Sequence, residues 1–90
     1  MKVYQISHID CGVGWIDKDT KSFRYELEEG LKEAVLHGTD AGYLETEIDP
    51  FLKSLEEAPI NTKAKIGAYG FEVLEMSKDA FENLPEFQGW

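Results

Sequence analysis

The chain of 90 residues has one cysteine, Cys11, so no intramolecular disulfide can brace it. Thiol usage of this kind fits a reducing compartment and points to the cytoplasm. No stretch approaches the roughly 18 apolar residues of a membrane span, and no basic segment runs into a signal-type apolar core. Low-complexity tracts, internal repeats and Pro- or Gly-rich linkers are missing as well. A single domain spanning residues 1–90 follows, because two half-length units could not each bury a core. Bases are scarce: nine Lys and Arg face eighteen Asp and Glu, for a formal charge of −9. That balance repels nucleic acid and anionic membrane, and it attracts surfaces rich in Lys and Arg.

Apolar residues are plentiful enough to fold, at 42% hydrophobic and 12% aromatic, which argues against disorder despite the charge. The acid is threaded through patterned segments and does not collect in a tail. Residues 40–57 hold Asp40, Glu45, Glu47, Asp49, Glu56 and Glu57 against Lys53 alone. Residues 66–90 hold Glu72, Glu75, Asp79, Glu82 and Glu86 against Lys78.

Tyr4, Ile6 and His8 alternate with Val3, Gln5, Ser7 and Ile9, the period-2 signature of a strand. The run Asp10-Cys11-Gly12-Val13-Gly14 turns the chain, and Trp15-Ile16 begins a short return strand. Phe23, Leu27, Leu31, Ala34 and Val35 recur at helical spacing, with Gly30 a costly interior residue and His37-Gly38 the end. Tyr43 to Ile48 alternates again and predicts a second main strand, with Tyr43, Glu45 and Glu47 on one face. Asp49-Pro50 then reads as a cap and first helical position. Phe51, Leu52 and Leu55 form the buried stripe of that helix, and Ala58-Pro59 stops it. Lys63 to Met76 is either a hairpin or one bulged strand, with Phe71 and Val73 pointing inward. Ser77 caps a last short helix that Pro85 ends, and Phe87 and Trp90 are expected to fold back on the domain. Half-polar strands and short connections predict an α+β fold. It is a sheet of three or four strands with two main helices on one face and a short C-terminal helix.

Motifs that would carry a reaction are incomplete. His8-x-x-Cys11 offers two metal-type ligands where a structural zinc site needs four, and only His37 is left to join them. The same pair, read as nucleophile and base, has no third group to orient it. Gly12-Val13-Gly14 lacks the third glycine of a dinucleotide fingerprint and the Lys-Ser or Lys-Thr of a phosphate loop. Glu45, Glu47 and Asp49, about 7 Å apart on a regular strand, could hold a hard cation or cut phosphodiesters with metal help. A carboxylate–lysine nuclease would place an acid two residues before a lysine, and no Glu-x-Lys occurs. The row is also spaced like alternate phosphates of a nucleic-acid strand, the physical basis of mimicry.

The segment Phe71-Glu-Val-Leu-Glu-Met-Ser-Lys-Asp-Ala-Phe-Glu-Asn-Leu-Pro-Glu-Phe-Gln-Gly-Trp90 resembles the endings of small bacteriophage-encoded accessory proteins. In those, a strand ending in Met-Thr or Met-Ser leads into a short acidic helix and then Leu-Pro-Glu-Phe. The resemblance implies a class with many inhibitors of host defence enzymes, and it supplies no catalytic residues.

The resulting expectation is a cytoplasmic, acidic protein-binding module without a cofactor, metal or reaction of its own. Tyr43, Glu45, Glu47, Asp49, Glu56 and Glu57 form its expected contact surface for a basic protein partner. That partner is best matched by a nucleic-acid-binding host protein whose basic groove is occupied, with no direct nucleic-acid or membrane binding. Two other classes stay open: an assembly component of a larger particle using Leu84 to Trp90, and a small Cys11/His8 enzyme. A homodimer through an unpaired edge strand stays open too.

Overall fold

The structure, a computed structural model, describes residues 1–85. Four strands, β1 (Lys2–His8), β2 (Gly12–Asp17), β3 (Lys63–Ile66) and β4 (Tyr69–Glu75), form one antiparallel sheet in the order β2-β1-β4-β3. Between β2 and β3 run a 3₁₀ turn (Thr20–Phe23) and the helices α1 (Arg24–Leu36) and α2 (Glu45–Glu57). A short α3 (Lys78–Glu82) follows β4. The domain is α+β, as the sequence predicts.

Alternation decides what the sheet buries. Tyr4 and Ile6 of β1 and Tyr69, Phe71 and Val73 of β4 meet Phe23 and Leu27 ahead of and within α1, and Ile48, Leu52 and Leu55 of α2. Phe71 sits at the centre, edge-to-face with Phe23 at 5.5 Å and with Phe51 at 5.2 Å between ring centroids. The two main helices therefore share one face of the sheet. Three hydrogen bonds fix them antiparallel: Thr20 to Glu56, Arg24 to Asp49, and Tyr43 to Leu27. Around α3, Phe81 and Leu84 border a shallow groove with Val13 and Ile16 of β2.

Residues 63–75 form a hairpin, which settles the alternative left open by the sequence. Gly67 takes φ +57 at the first of two loop residues, as a type II′ turn requires. The helix end at His37-Gly38, the stop at Ala58 and the Ser77 cap stand where expected. The return strand begins at Gly12 and so takes in Gly12, Val13 and Gly14, which the sequence assigned to the turn. Ser77 Oγ accepts from the Ala80 amide at 3.1 Å. The expectation for Phe87 and Trp90 lies outside the described residues.

One element differs. Residues 45–48, read as part of a second strand, are the first turn of α2, and Pro50 is its sixth residue, not its first. Ile48, Leu52 and Leu55 are buried at spacings of four and three, whereas Leu44 is 67% exposed, so the burial period is helical. The Glu47 carboxylate accepts from the Leu44 amide and starts the helix, although a leucine cap returns no side-chain bond. Pro50 leaves the Thr46 carbonyl without its helical donor. Both residues are exposed, so water can serve that carbonyl.

Both sheet edges carry features that discourage pairing with another chain. β3 is four residues long with Lys63 and Lys65 exposed, and β2 is bulged where the register passes from Ile6–Trp15 to Ser7–Val13, skipping Gly14.

Candidate protein-binding surface

The contact surface was expected to combine a strand face of Tyr43, Glu45, Glu47 and Asp49 with Glu56 and Glu57 on the following helix. The last two do lie on a helix, and the first four lie differently. Tyr43 is 7% exposed, and its hydroxyl donates to the Leu27 carbonyl inside the domain. Burial pushes the phenol up to about 12, with neighbouring Tyr69 adding to the shift and a Leu31 backbone hydrogen bond opposing it. Tyr43 is a core residue and leaves the contact surface. Glu45, Glu47 and Asp49 lie on the first turns of α2, where a two-residue step rotates by about 200°. Glu45 and Asp49 thus share a side while Glu47 turns back to cap the helix. The phosphate-spaced row does not exist.

Asp49 accepts from Arg24 Nε at 2.8 Å, and that bond holds its carboxyl below the usual carboxylate range while raising the guanidinium. Arg24 also pairs with Glu28. Glu56 accepts from buried Thr20 at 2.6 Å through Oε1, and its backbone carbonyl accepts from Lys2 Nζ at 2.8 Å. Glu45 and Glu57 lie exposed at the two ends of α2.

Charge separates by layer. The outer helices carry Glu26, Glu28, Glu29, Glu33, Glu45, Glu47, Asp49, Glu56 and Glu57 against Arg24, Lys32 and Lys53, a net of −6. The strands balance, with Lys2, Lys63 and Lys65 against Asp17, Glu72 and Glu75. Most of the formal charge therefore sits on one side of the domain.

α1 runs past the start of α2, and a groove of about 760 Å³ opens beside its second half. One stripe of α1 lines it, Glu26, Glu29, Gly30, Glu33, Ala34 and His37 at helical spacing. The 39–43 loop, His8 and Ile9 at the end of β1, and Gly67 to Tyr69 at the β3–β4 turn complete it. Glu33 approaches His37 Nε2 at 3.3 Å, and His8 meets the Tyr69 ring edge-on at 5.2 Å. The buried stripe expected to run Phe23, Leu27, Leu31, Ala34 and Val35 stops short: Val35 is 73% exposed and Ala34 lines this groove. The signal of the groove-lining stripe was present in the spacing of Glu26, Glu29 and Glu33 beside the small residues Gly30 and Ala34.

His8 Nδ1 accepts from the Asp10 amide at 3.1 Å, and Cys11 is exposed in the turn that follows. Among the described residues no group of three or more His, Cys, Asp or Glu could hold a metal ion, and no helix is long and apolar enough to cross a membrane. No protein family, curated protein or solved structure matches the chain.

Proposed function

We propose that the chain is an acidic protein-binding module, without a reaction of its own, that engages a basic partner through the outer side of α1 and α2. The observation that carries this reading is the segregation of charge: net −6 on the two helices over a sheet whose strands balance. Glu45, Glu57 and the stripe of Glu26, Glu29 and Glu33 replace the strand face expected from the sequence. A field of this kind raises the encounter rate with a positive surface and fixes its orientation, more than it adds affinity. A nucleic-acid-binding protein presents such a surface, and the phage-like ending of the chain fits an inhibitor that occupies it.

Affinity capture from a host lysate at low and high salt tests the reading, with a Glu45→Lys, Glu57→Lys variant alongside. The expected result is a basic partner held at low salt, released at high salt and lost by the variant. A partner retained at high salt by both proteins would leave the acid as a solubilising coat. Neither Glu45 nor Glu57 caps a helix or reaches the core, so the variant keeps the fold.

A further inference from the structure

The groove beside α1 combines an apolar floor with an acidic wall, and the pair specifies more than charge does. Ile9 (73% exposed), Ala34, Ala41 and Ala68 leave apolar surface open to solvent. Glu26, Glu29 and Glu33 line one side, and Asp40 stands on the loop. Among the described residues no Lys or Arg lines the groove, although Lys32 reaches the Glu29 carboxylate at 3.3 Å. Its volume falls in the range of about 300–1,000 Å³ typical of ligand clefts.

We infer that this groove holds an amphipathic, Lys- or Arg-bearing segment of the protein partner. Apolar side chains of that segment cover Ile9 and the alanines, while its cations meet the glutamates of α1. The inference rests on the proposed binding of a basic partner and adds where its chain is gripped. Charge complementarity selects the occupant: an acidic peptide is repelled, and a wholly apolar one desolvates carboxylates while offering them no cation of its own. A wholly cationic one leaves Ile9 uncovered. Glu26, Glu29 and Glu33 rise along the helix in steps of about 4.5 and 6 Å, within reach of successive long basic side chains. Cations lodged against a partly desolvated wall also interact more strongly than on open surface.

Two synthetic peptides, one of alternating leucine and lysine and one of arginine only, serve as probes for titration against the full chain. The leucine–lysine peptide is expected to bind, and to weaken about tenfold or more in Glu29→Lys, Glu33→Lys, the loss of one or two good contacts. Ala34→Phe fills the floor and is expected to weaken the leucine–lysine peptide but not oligo-arginine. Ala34→Leu replaces it if the phenylalanine variant melts early. Unchanged leucine–lysine binding in the floor-filling variant overturns the inference, as does failure of that peptide to bind the wild type. If Glu45→Lys, Glu57→Lys abolishes capture of the lysate partner and the groove variants do not, the groove is excluded and the wider reading survives. Loss of partner capture in neither set removes both.

Discussion

A β-carbon placed on Gly30 would lie 2.8 Å from both Cε2 and the hydroxyl of Tyr69, and 3.2 Å from the hydroxyl of Tyr43. Two core tyrosines thus pack directly on the backbone of α1. Exchanging glycine for alanine inside a helix ordinarily stabilises by about 1 kcal/mol. Here Tyr69 is buried and cannot swing freely away, and overpacking of this kind costs about 1–3 kcal/mol. Gly30→Ala is expected to lower stability, by about 1 kcal/mol net, in a urea titration. A stabilised variant would show that Tyr69 has room to move.

Gly67→Ala is expected to be worse. The added carbon would meet the Ala41 carbonyl oxygen at 2.4 Å and the Tyr43 ring at 2.7 Å, on a backbone already at φ +57. Backbone cannot give way as a side chain can, so a loss of about 3 kcal/mol or more is expected, at the upper end of single substitutions. Gly12→Ala is the control. It shares a positive φ but has nothing within 4 Å, so thermal melts should show a drop of only about 1 kcal/mol.

Tyr43 sets an alkaline limit. Its folded value lies near 12 against an ordinary 10.0, so the native state keeps a proton that the unfolded state has released. The stabilisation is complete below pH 10.0 and declines as pH rises toward 12. Tyr4 and Tyr69 are shifted upward by burial as well and steepen the same limb. Tyr43→Phe should flatten the fall in denaturation midpoint over that window. It should also cost about 1 kcal/mol at neutral pH, because the hydroxyl's hydrogen bond to the Leu27 carbonyl is lost.

Glu47→Ala removes the carboxylate that accepts from the Leu44 amide at the start of α2. An expected loss of about 1 kcal/mol, measured by chemical denaturation, follows from the missing cap. Glu45→Ala, two residues earlier in the same turn and without that bond, should change stability by less than about 0.5 kcal/mol. Equal losses would assign the effect to the charge at the helix start and not to the hydrogen bond.

Strand and helix periods made most of the fold legible. Tyr4, Ile6, Phe71 and Val73 alternate as half-buried strands must, and Phe23, Leu27 and Leu31 recur as a core-facing helix must. The segment 43–48 misled because six residues alternating in polarity also suit the first turn of a helix, where exposed acids favour the positive end. Only Ile48 of that segment joins the stripe of Leu52 and Leu55, and Pro50 looked like a beginning when it stands in the second turn. The acidic character of the surface was legible in composition. Its geometry was not, since Glu26 and Glu33 come together with Ala41 and Gly67 only through tertiary packing.

The two central strands of the sheet, β1 and β4, come from residues 2–8 and 69–75 and pair along seven registers. The middle of the domain is thus made by the two segments farthest apart in the strand order of the chain. A β1–β2 hairpin by itself is marginal in water, so a growing chain has little to hold it until β4 has been added. Long-range pairing of this kind slows folding relative to local contacts. A chain cut short before residue 69 therefore loses a central strand of its sheet, and one cut before residue 63 loses the β3 edge as well.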